Sequence, residues 1–260
     1  MMTAIEFYET LRQRFCAVLD ACGSDNGHTM RAESVAVVCR ALTPEEAIGH
    51  TRRKDFPILQ GKDVMIQAEF RGFHGQAFTD APALFTGTLA EVLNMDIARE
   101  PHARGIFIAV LNAVMASLDR CRGTVHCRTD GPELCAKDMR GFLEETYPDR
   151  RRIALIGYQP ALLDMLVHSG HEIRVLDLNP ANIGQTRYGV IVEDGQAACT
   201  AVIHGGADLI LCTGSTICNG TIVDYLEADT EVLFFGTTLS GAAALMGLRR
   251  ICFADAYSQV

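Results

Sequence analysis

Tryptophan is absent from this 260-residue chain, and so are most of the short signatures that announce a reaction. There is no G-x-S-x-G turn and no P-loop lysine, which argues against a serine hydrolase and a P-loop nucleotidase. No H-E-x-x-H or H-x-x-x-H occurs, and none of the ten cysteines forms C-x-x-C, so a ready-made zinc site has little support. Positive charge is also short. Lys and Arg number 23 against 32 Asp and Glu, a net charge of −9, and such a chain repels nucleic-acid backbones. No apolar run reaches the roughly 18 residues of a membrane span. The opening Met1-Met2-Thr3-Ala4-Ile5-Glu6 has neither the basic nor the apolar part of a secretory leader. The expectation is a cytoplasmic protein with no nucleic-acid or membrane partner.

What is present is an ordinary globular composition, 48% hydrophobic and 21% charged. Three cysteine pairs share a C-x5-C spacing: Cys16 and Cys22, Cys121 and Cys127, Cys212 and Cys218. Several lie in apolar segments, where a thiol acts as a small hydrophobe. Apolar residues at three- and four-residue steps predict a helix over 3–22, ended by Gly23. A strand follows at 34–42, then the charged loop Arg52-Arg53-Lys54-Asp55, and a hairpin from 65–70 and 76–79. Helices are expected at 89–95, capped by Thr86 or Thr88, and at 104–118. The second is apolar enough for a core or for the interface of a homodimer. Strands first and helices after make this part α+β.

Residues 119–131 lose the apolar period and read as a domain edge, giving domains 1–125 and 126–260. Pro132 suits the first turn of a helix running to Thr146. From there strands and helices alternate. Strands are expected at 153–157, 172–177, 188–193, 208–213, 232–236 and 250–253. Helices are expected at 160–168, 197–204, 218–226 and 240–248. Continuous apolar strands separated by helices predict an open, Rossmann-like parallel sheet covered on both faces.

Ligands of such sheets bind beyond the carboxyl ends of the strands. Those ends carry Gly157, Tyr158 and Gln159, then Asp177, Asn179 and Asn182, then Thr213, Gly214, Ser215 and Thr216 with Asn219, then Thr237 and Thr238. A row of polar strand ends predicts a shared ligand cleft. The first turn is no dinucleotide fingerprint, because Pro160 removes a backbone donor where a pyrophosphate would sit. Asp177 nevertheless follows Gly157 by about 20 residues, the spacing of a ribose-binding acid. It serves equally well as a turn or cap residue. Ser215 and Thr216 could contact an anion or simply cap a helix. Cys218 sits where a thiol could be activated, but no base stands near it in sequence. Asn112 faces either the cleft or a backbone partner in the core.

With those residues in hand, the chain resembles the proposed heavy-metal chelation family, long a domain of unknown function. The resemblance rests on Ile156-Gly157-Tyr158-Gln159-Pro160-Ala161, Leu176-Asp177-Leu178-Asn179-Pro180-Ala181-Asn182-Ile183-Gly184, Thr213-Gly214-Ser215-Thr216 with Asn219-Gly220-Thr221, and Phe235-Gly236-Thr237-Thr238 with Gly241-Ala242-Ala243. Looser matches are Gly75-Gln76-Ala77-Phe78-Thr79 and Leu111-Asn112-Ala113-Val114. The resemblance implies an enolase N-terminal-like α+β domain followed by a Rossmann-like domain, with a site between them. It implies no enolase chemistry, since the residues for that belong to a barrel this chain lacks.

Three functions remain open. In the first, the cleft binds an anionic or metal-chelating small molecule, with a role in heavy-metal chelation and a metal ion or metal chelate as the bound group. Here Asp177 binds a hydroxyl or the metal, and Ser215, Thr216 and Asn219 bind an anionic group. In the second, the protein is a transferase-like enzyme whose adenosine-type cofactor sits on Asp177. A protein-side metal carrier using the cysteines and His126 is a third reading.

Overall fold

The computed structural model describes residues 2–22, 30, 36–60 and 64–257. Helix α1 spans Ala4–Ala21. Its start is set by a capping box, in which Thr3 Oγ1 accepts from the Glu6 N–H and the Glu6 carboxylate accepts from the Thr3 N–H. Gly23, expected to end it, lies outside the described residues. The first part continues with strand β1 (Ala36–Leu42), short helices α2 (Pro44–Ile48) and α3 (Pro57–Gln60), strands β2 (Val64–Phe70), β3 (Phe73–Thr79) and β4 (Phe85–Thr88), then helices α4 (Leu89–Leu93) and α5 (Pro101–Ser117). Its sheet is antiparallel, in the order β3-β2-β1-β4. The β2–β3 turn has Arg71 and Gly72 both at positive φ, 52° and 79°, the two-residue turn whose twist suits a hairpin. This is the expected α+β unit. Helix α5 is buried from Arg104 to Met115, so its apolar surface goes to the core.

The remainder runs α6 (Gly131–Thr146), β5 (Arg152–Ile156), α7 (Pro160–His168), β6 (Glu172–Asp177), β7 (Thr186–Arg187), β8 (Val190–Asp194), α8 (Gly195–Ala201), β9 (Leu209–Thr213), α9 (Thr216–Asn219), α10 (Ile222–Leu226), β10 (Val232–Phe235), α11 (Ser240–Met246), β11 (Arg250–Ile251) and α12 (Ala254–Tyr257). The sheet order is β11-β10-β9-β5-β6-β8-β7, and every neighbouring pair is parallel except β7 with β8. Counting the parallel strands alone, the order is third, second, first, fourth, fifth, sixth. That is the doubly wound order of the Rossmann fold, with its switch point between β5 and β9.

Side chains alternate along these strands and feed two cores. Ala154, Ile156, Ile210 and Cys212 pack into the cluster that holds Phe7, Leu11, Phe107 and Leu111 of the first part. Ile153, Leu155, Leu209 and Leu211 pack with Met139, Leu143 and Leu163 on the other side. The period of two thus sends one sheet face to α1 and α5, and the other to α6 and α7. The first part is therefore the covering layer of one sheet face.

Short helices α2, α3 and α12 were not expected, and three further elements differ from expectation for local reasons. The strand expected at 188–193 is a small hairpin, because Tyr188 and Gly189 take positive φ (51° and 82°) and turn the chain between β7 and β8. The helix expected at 218–226 is broken into α9 and α10 at Gly220, which is left-handed at φ 88°. The strand β4 was not expected; its four residues carry too short a pattern to stand out. Among the described residues no helix is long and apolar enough to cross a membrane.

Candidate functional site

The loops after β5, β6, β9 and β10 meet over the switch point and line one cleft of about 1360 Å³. All thirteen residues singled out from the sequence line it: Gly157, Tyr158, Gln159, Asp177, Asn179, Asn182, Thr213, Gly214, Ser215, Thr216, Asn219, Thr237 and Thr238. Two glycines bring the loops this close. Gly157 is at φ +85°, and a Cβ there would stand 2.5 Å from Thr213 Cγ2. A Cβ on Gly214 would stand 2.7 Å from Leu239 Cβ.

Most polar side chains in the cleft already have partners. Asp177 Oδ2 accepts from the Tyr158 N–H at 2.7 Å, and its Oδ1 from the Asn179 N–H at 2.6 Å. The carboxylate thus ties the β5 loop to the β6 loop. Gln159 caps α7 by accepting from the Leu162 N–H. Asn179 Oδ1 accepts from the Ala181 N–H, and Asn219 Oδ1 from both the N–H and the hydroxyl of Thr221. Thr213 and Ser215 pair their hydroxyls at 3.0 Å, and Thr216 donates to the Thr213 carbonyl. Neither Ser215 nor Thr216 caps α9 through its side chain. Thr238 Oγ1 accepts from the Phe78 N–H of β3 at 3.0 Å.

Two residues stand apart. Asn182 and Thr237 are only 8% and 3% exposed, yet among the described residues the Asn182 amide and the Thr237 hydroxyl have no hydrogen-bond partner. Neither group is among the fully enclosed orphan atoms, and both residues line the cleft. Their polar atoms therefore stay open to solvent in residues that line it. Nearly buried polar groups without a protein partner are costly unless water or a ligand meets them.

The cleft's electrostatics are one-sided. Its ionisable lining consists of Asp80, Asp177, Asp224, Glu227, His126 and His204 with thiols and a few tyrosines; among the described residues it has no Lys or Arg. Burial raises the Asp224 carboxyl above its ordinary value. An anion entering this cleft finds hydroxyls and amides but no counter-charge.

Other expectations change with tertiary context. Asn112 is fully buried and does not line the cleft. Its amide nitrogen donates to the carbonyls of Gln76, Thr237 and Thr238, and its oxygen accepts from the Gly241 N–H, so it pins the two sheets together. Burial pushes the Cys218 thiol up to about 12, the reverse of an activated nucleophile. The α9 turn carrying it is held from the first part, where Tyr8 donates to the Ile217 carbonyl and Arg104 to the Cys218 carbonyl.

Sequence reasoning missed a clasp built by the 51–56 loop. Arg53 reaches Glu133, Asp164 and the Tyr188 hydroxyl, while Asp55 Oδ2 accepts from the hydroxyls of Tyr158 (2.9 Å) and Tyr188 (2.6 Å). The run Arg52-Arg53-Lys54-Asp55 was its only sequence signal, and a charged run usually marks a solvated loop. His126, Cys127, Cys135 and Cys252, raised from the sequence only as part of a metal-carrier reading, also line the cleft, which their positions in the chain did not foretell.

Residues 143–249 match the family model DUF364, described as "Putative heavy-metal chelation", so the resemblance read from the sequence is borne out over that stretch. All thirteen cleft residues fall within it. No curated protein matches the chain. Among solved structures, the chain is similar to a DUF364 protein of unknown function from Pyrococcus horikoshii at 16% identity and a TM-score of 0.49, covering 88% of this chain and 79% of that one. A DUF364 protein of unknown function from Desulfitobacterium hafniense DCB-2 is similar at 11% identity and a TM-score of 0.42, covering 71% of this chain and 72% of that one.

Proposed function

We propose that the cleft binds a small metal-chelating molecule or its metal complex, with Asn182 and Thr237 as direct contacts. The observation that carries this reading is the pair of nearly buried residues with unpartnered polar groups, Asn182 and Thr237, in the lining of an acidic cleft. Of the two ligand types expected from the sequence, a simple anion is disfavoured by the lack of Lys and Arg among the described residues that line the cleft. A ligand carrying a cation suits the four carboxylates. The family description for residues 143–249 points the same way.

A second reading has one observation in its favour. Asp177 ends β6 beside the switch point, and each of its oxygens keeps a lone pair beyond the backbone N–H it accepts. A ribose could bind there, and a sulfonium-bearing adenosine compound would meet no adverse charge in this cleft.

Calorimetry separates the two. Ni(II), Zn(II) and Fe(III), alone and as citrate complexes, are compared with adenosine and S-adenosylmethionine. Whichever probe binds should lose about tenfold in affinity in Asn182→Ala and in Thr237→Val, the worth of one ligand hydrogen bond. Melting without ligand should change little, because these groups bond nothing in the protein. Wild-type affinity in both variants would remove the cleft contacts from the reading.

A further inference from the structure

The antiparallel sheet of the first part has two faces, and α5 covers one of them. Ile66, Ala68 and Ala77 pack there in the cluster that holds Phe107 and Leu111 of α5. Strand alternation sends Met65 and Phe78, register partners on β2 and β3, to the other face. On that face they join Phe56 and Ile58 in a separate apolar cluster, and all four residues line the cleft. Phe78 is half-buried, so its side chain keeps surface for another group. From the rest of the chain, Met139 of α6 and Leu162 of α7 line the same cleft but belong to a different cluster. The cleft therefore has apolar walls from both parts of the molecule, and the two clusters do not merge into one core.

The apolar walls adjoin the polar strand ends at two points. The Phe78 N–H donates to Thr238 Oγ1 at 3.0 Å, and Thr238 follows Thr237, one of the two residues with unpartnered polar groups. Tyr158 donates its N–H to Asp177 at 2.7 Å and its hydroxyl to Asp55 at 2.9 Å, and Asp55 precedes Phe56. A molecule held at Thr237 thus has apolar surface within reach. Small-molecule sites usually enclose roughly 300–1,000 Å³ and are lined mainly by apolar side chains, with a few polar groups to fix orientation. At about 1360 Å³, this cleft is too large for a small polar chelator alone.

We propose that the cleft ligand carries an aromatic ring, enclosed by Phe56, Met65 and Phe78 of the first part and by Met139 and Leu162 of the second. The proposal rests on the reading of Asn182 and Thr237 as contacts to the ligand's polar group. A ring is favoured over an alkyl chain by the composition of the walls. Phenylalanines pair with another ring edge-to-face or offset-stacked, and methionine sulfurs make favourable contacts with ring edges. The first part of the chain then selects the ligand by its apolar portion, while the strand ends hold its polar group.

Benzohydroxamate and acetohydroxamate test this, because they share one chelating group and differ as phenyl against methyl. Each is titrated calorimetrically into the full-length chain, alone and with equimolar Ni(II). Benzohydroxamate should bind about tenfold or more tighter, the effect of burying the larger apolar group. Hexanohydroxamate, apolar but without a ring, should bind more weakly than benzohydroxamate. Phe78→Ala should remove most of the phenyl preference, whereas Thr237→Val should weaken both probes alike and keep their ratio. If Phe78→Ala does not fold, the wild-type ratios decide. A phenyl preference with affinities untouched by Thr237→Val would support the aromatic end and remove the polar contact instead. Equal affinities for the phenyl and methyl probes, equal or tighter binding of the hexanoyl probe, or no binding of benzohydroxamate at millimolar concentration would overturn the proposal. So would a dimer, seen by sedimentation velocity, that benzohydroxamate splits, since a second copy would then cover these walls.

Discussion

At the scale of single residues, the cleft divides its polar groups into those that build it and those left free. Asp177 builds it. Two short bonds from Tyr158 and Asn179 hold adjacent strand-end loops in place. Bonds to a charged acceptor are worth about 1.5–3 kcal/mol each where buried, and Asp177 is half-buried. Asp177→Ala should therefore cost about 2 kcal/mol in urea denaturation, and weaken any cleft ligand through the loops as well as by direct contact. A variant as stable as the wild type would mean that the loops hold without it. Asn182 and Thr237 should behave in the opposite way, affecting ligand and not fold. Asn112 belongs with the builders: its four bonds are all to backbone, and no atom of it is left for a ligand.

At the scale of elements, helix α5 sets the distance between the two sheets, and glycines set how closely it is approached. A Cβ on Gly75 of β3 would stand 2.2 Å from both the Ala109 carbonyl oxygen and the Ala113 nitrogen. On the other side, a Cβ on Gly241 of α11 would stand 2.3 Å from Leu111 Cδ2. The first clash is with backbone, which has no rotamer to yield. Gly75→Ala should destabilise by about 3 kcal/mol, the upper end for overpacking, where Gly72→Ala, in open space at φ 79°, should cost only about 1 kcal/mol of backbone strain. Thermal melts of the two variants test this, and equal melting temperatures would show that α5 can move away. The same helix positions Thr238, whose hydroxyl meets Phe78, so a shift of α5 would be felt at the cleft wall.

At the scale of the whole molecule, the two parts share a core and a clasp. Residues of α1 and α5 pack in one cluster with the sheet strands β5, β6 and β9. Asp55 and Arg53 tie the 51–56 loop to Tyr158, Tyr188 and α7. Burial, and next the bond to Asp55, push the Tyr188 phenol up to about 12. Because the folded chain holds this proton more tightly than the unfolded chain, the stabilisation is complete below the unfolded value near 10. It fades as pH rises through about 12. Denaturation midpoints of wild type and Tyr188→Phe should thus differ at pH 8 and converge as pH rises from 10 towards 12. A difference that stays constant with pH would show that Tyr188 does not titrate with folding.

Much of this was legible in the chain because it is local. The apolar runs 153–157, 172–177 and 208–213 are strands whatever surrounds them, and Gly, Asp and Thr at their ends mark where a parallel sheet opens to solvent. Chain order and right-handed connection then leave few strand orders to choose from. The capping box of α1 and the proline at the start of α7 are equally local signals. What only the tertiary structure decided is which side chains remain free at those strand ends. Thr238 and Thr237 look alike in sequence, but one hydroxyl is taken by a backbone N–H 160 residues away and the other is not. The clasp, the burial of Cys218 and the role of Asn112 likewise depend on contacts across the fold. The lack of basic charge among the described residues of the cleft was hidden for the same reason: arginines are in the sequence, and those described lie outside its lining. A hydrogen bond or a charge field depends on partners brought together in space, and no period along the chain encodes those partners.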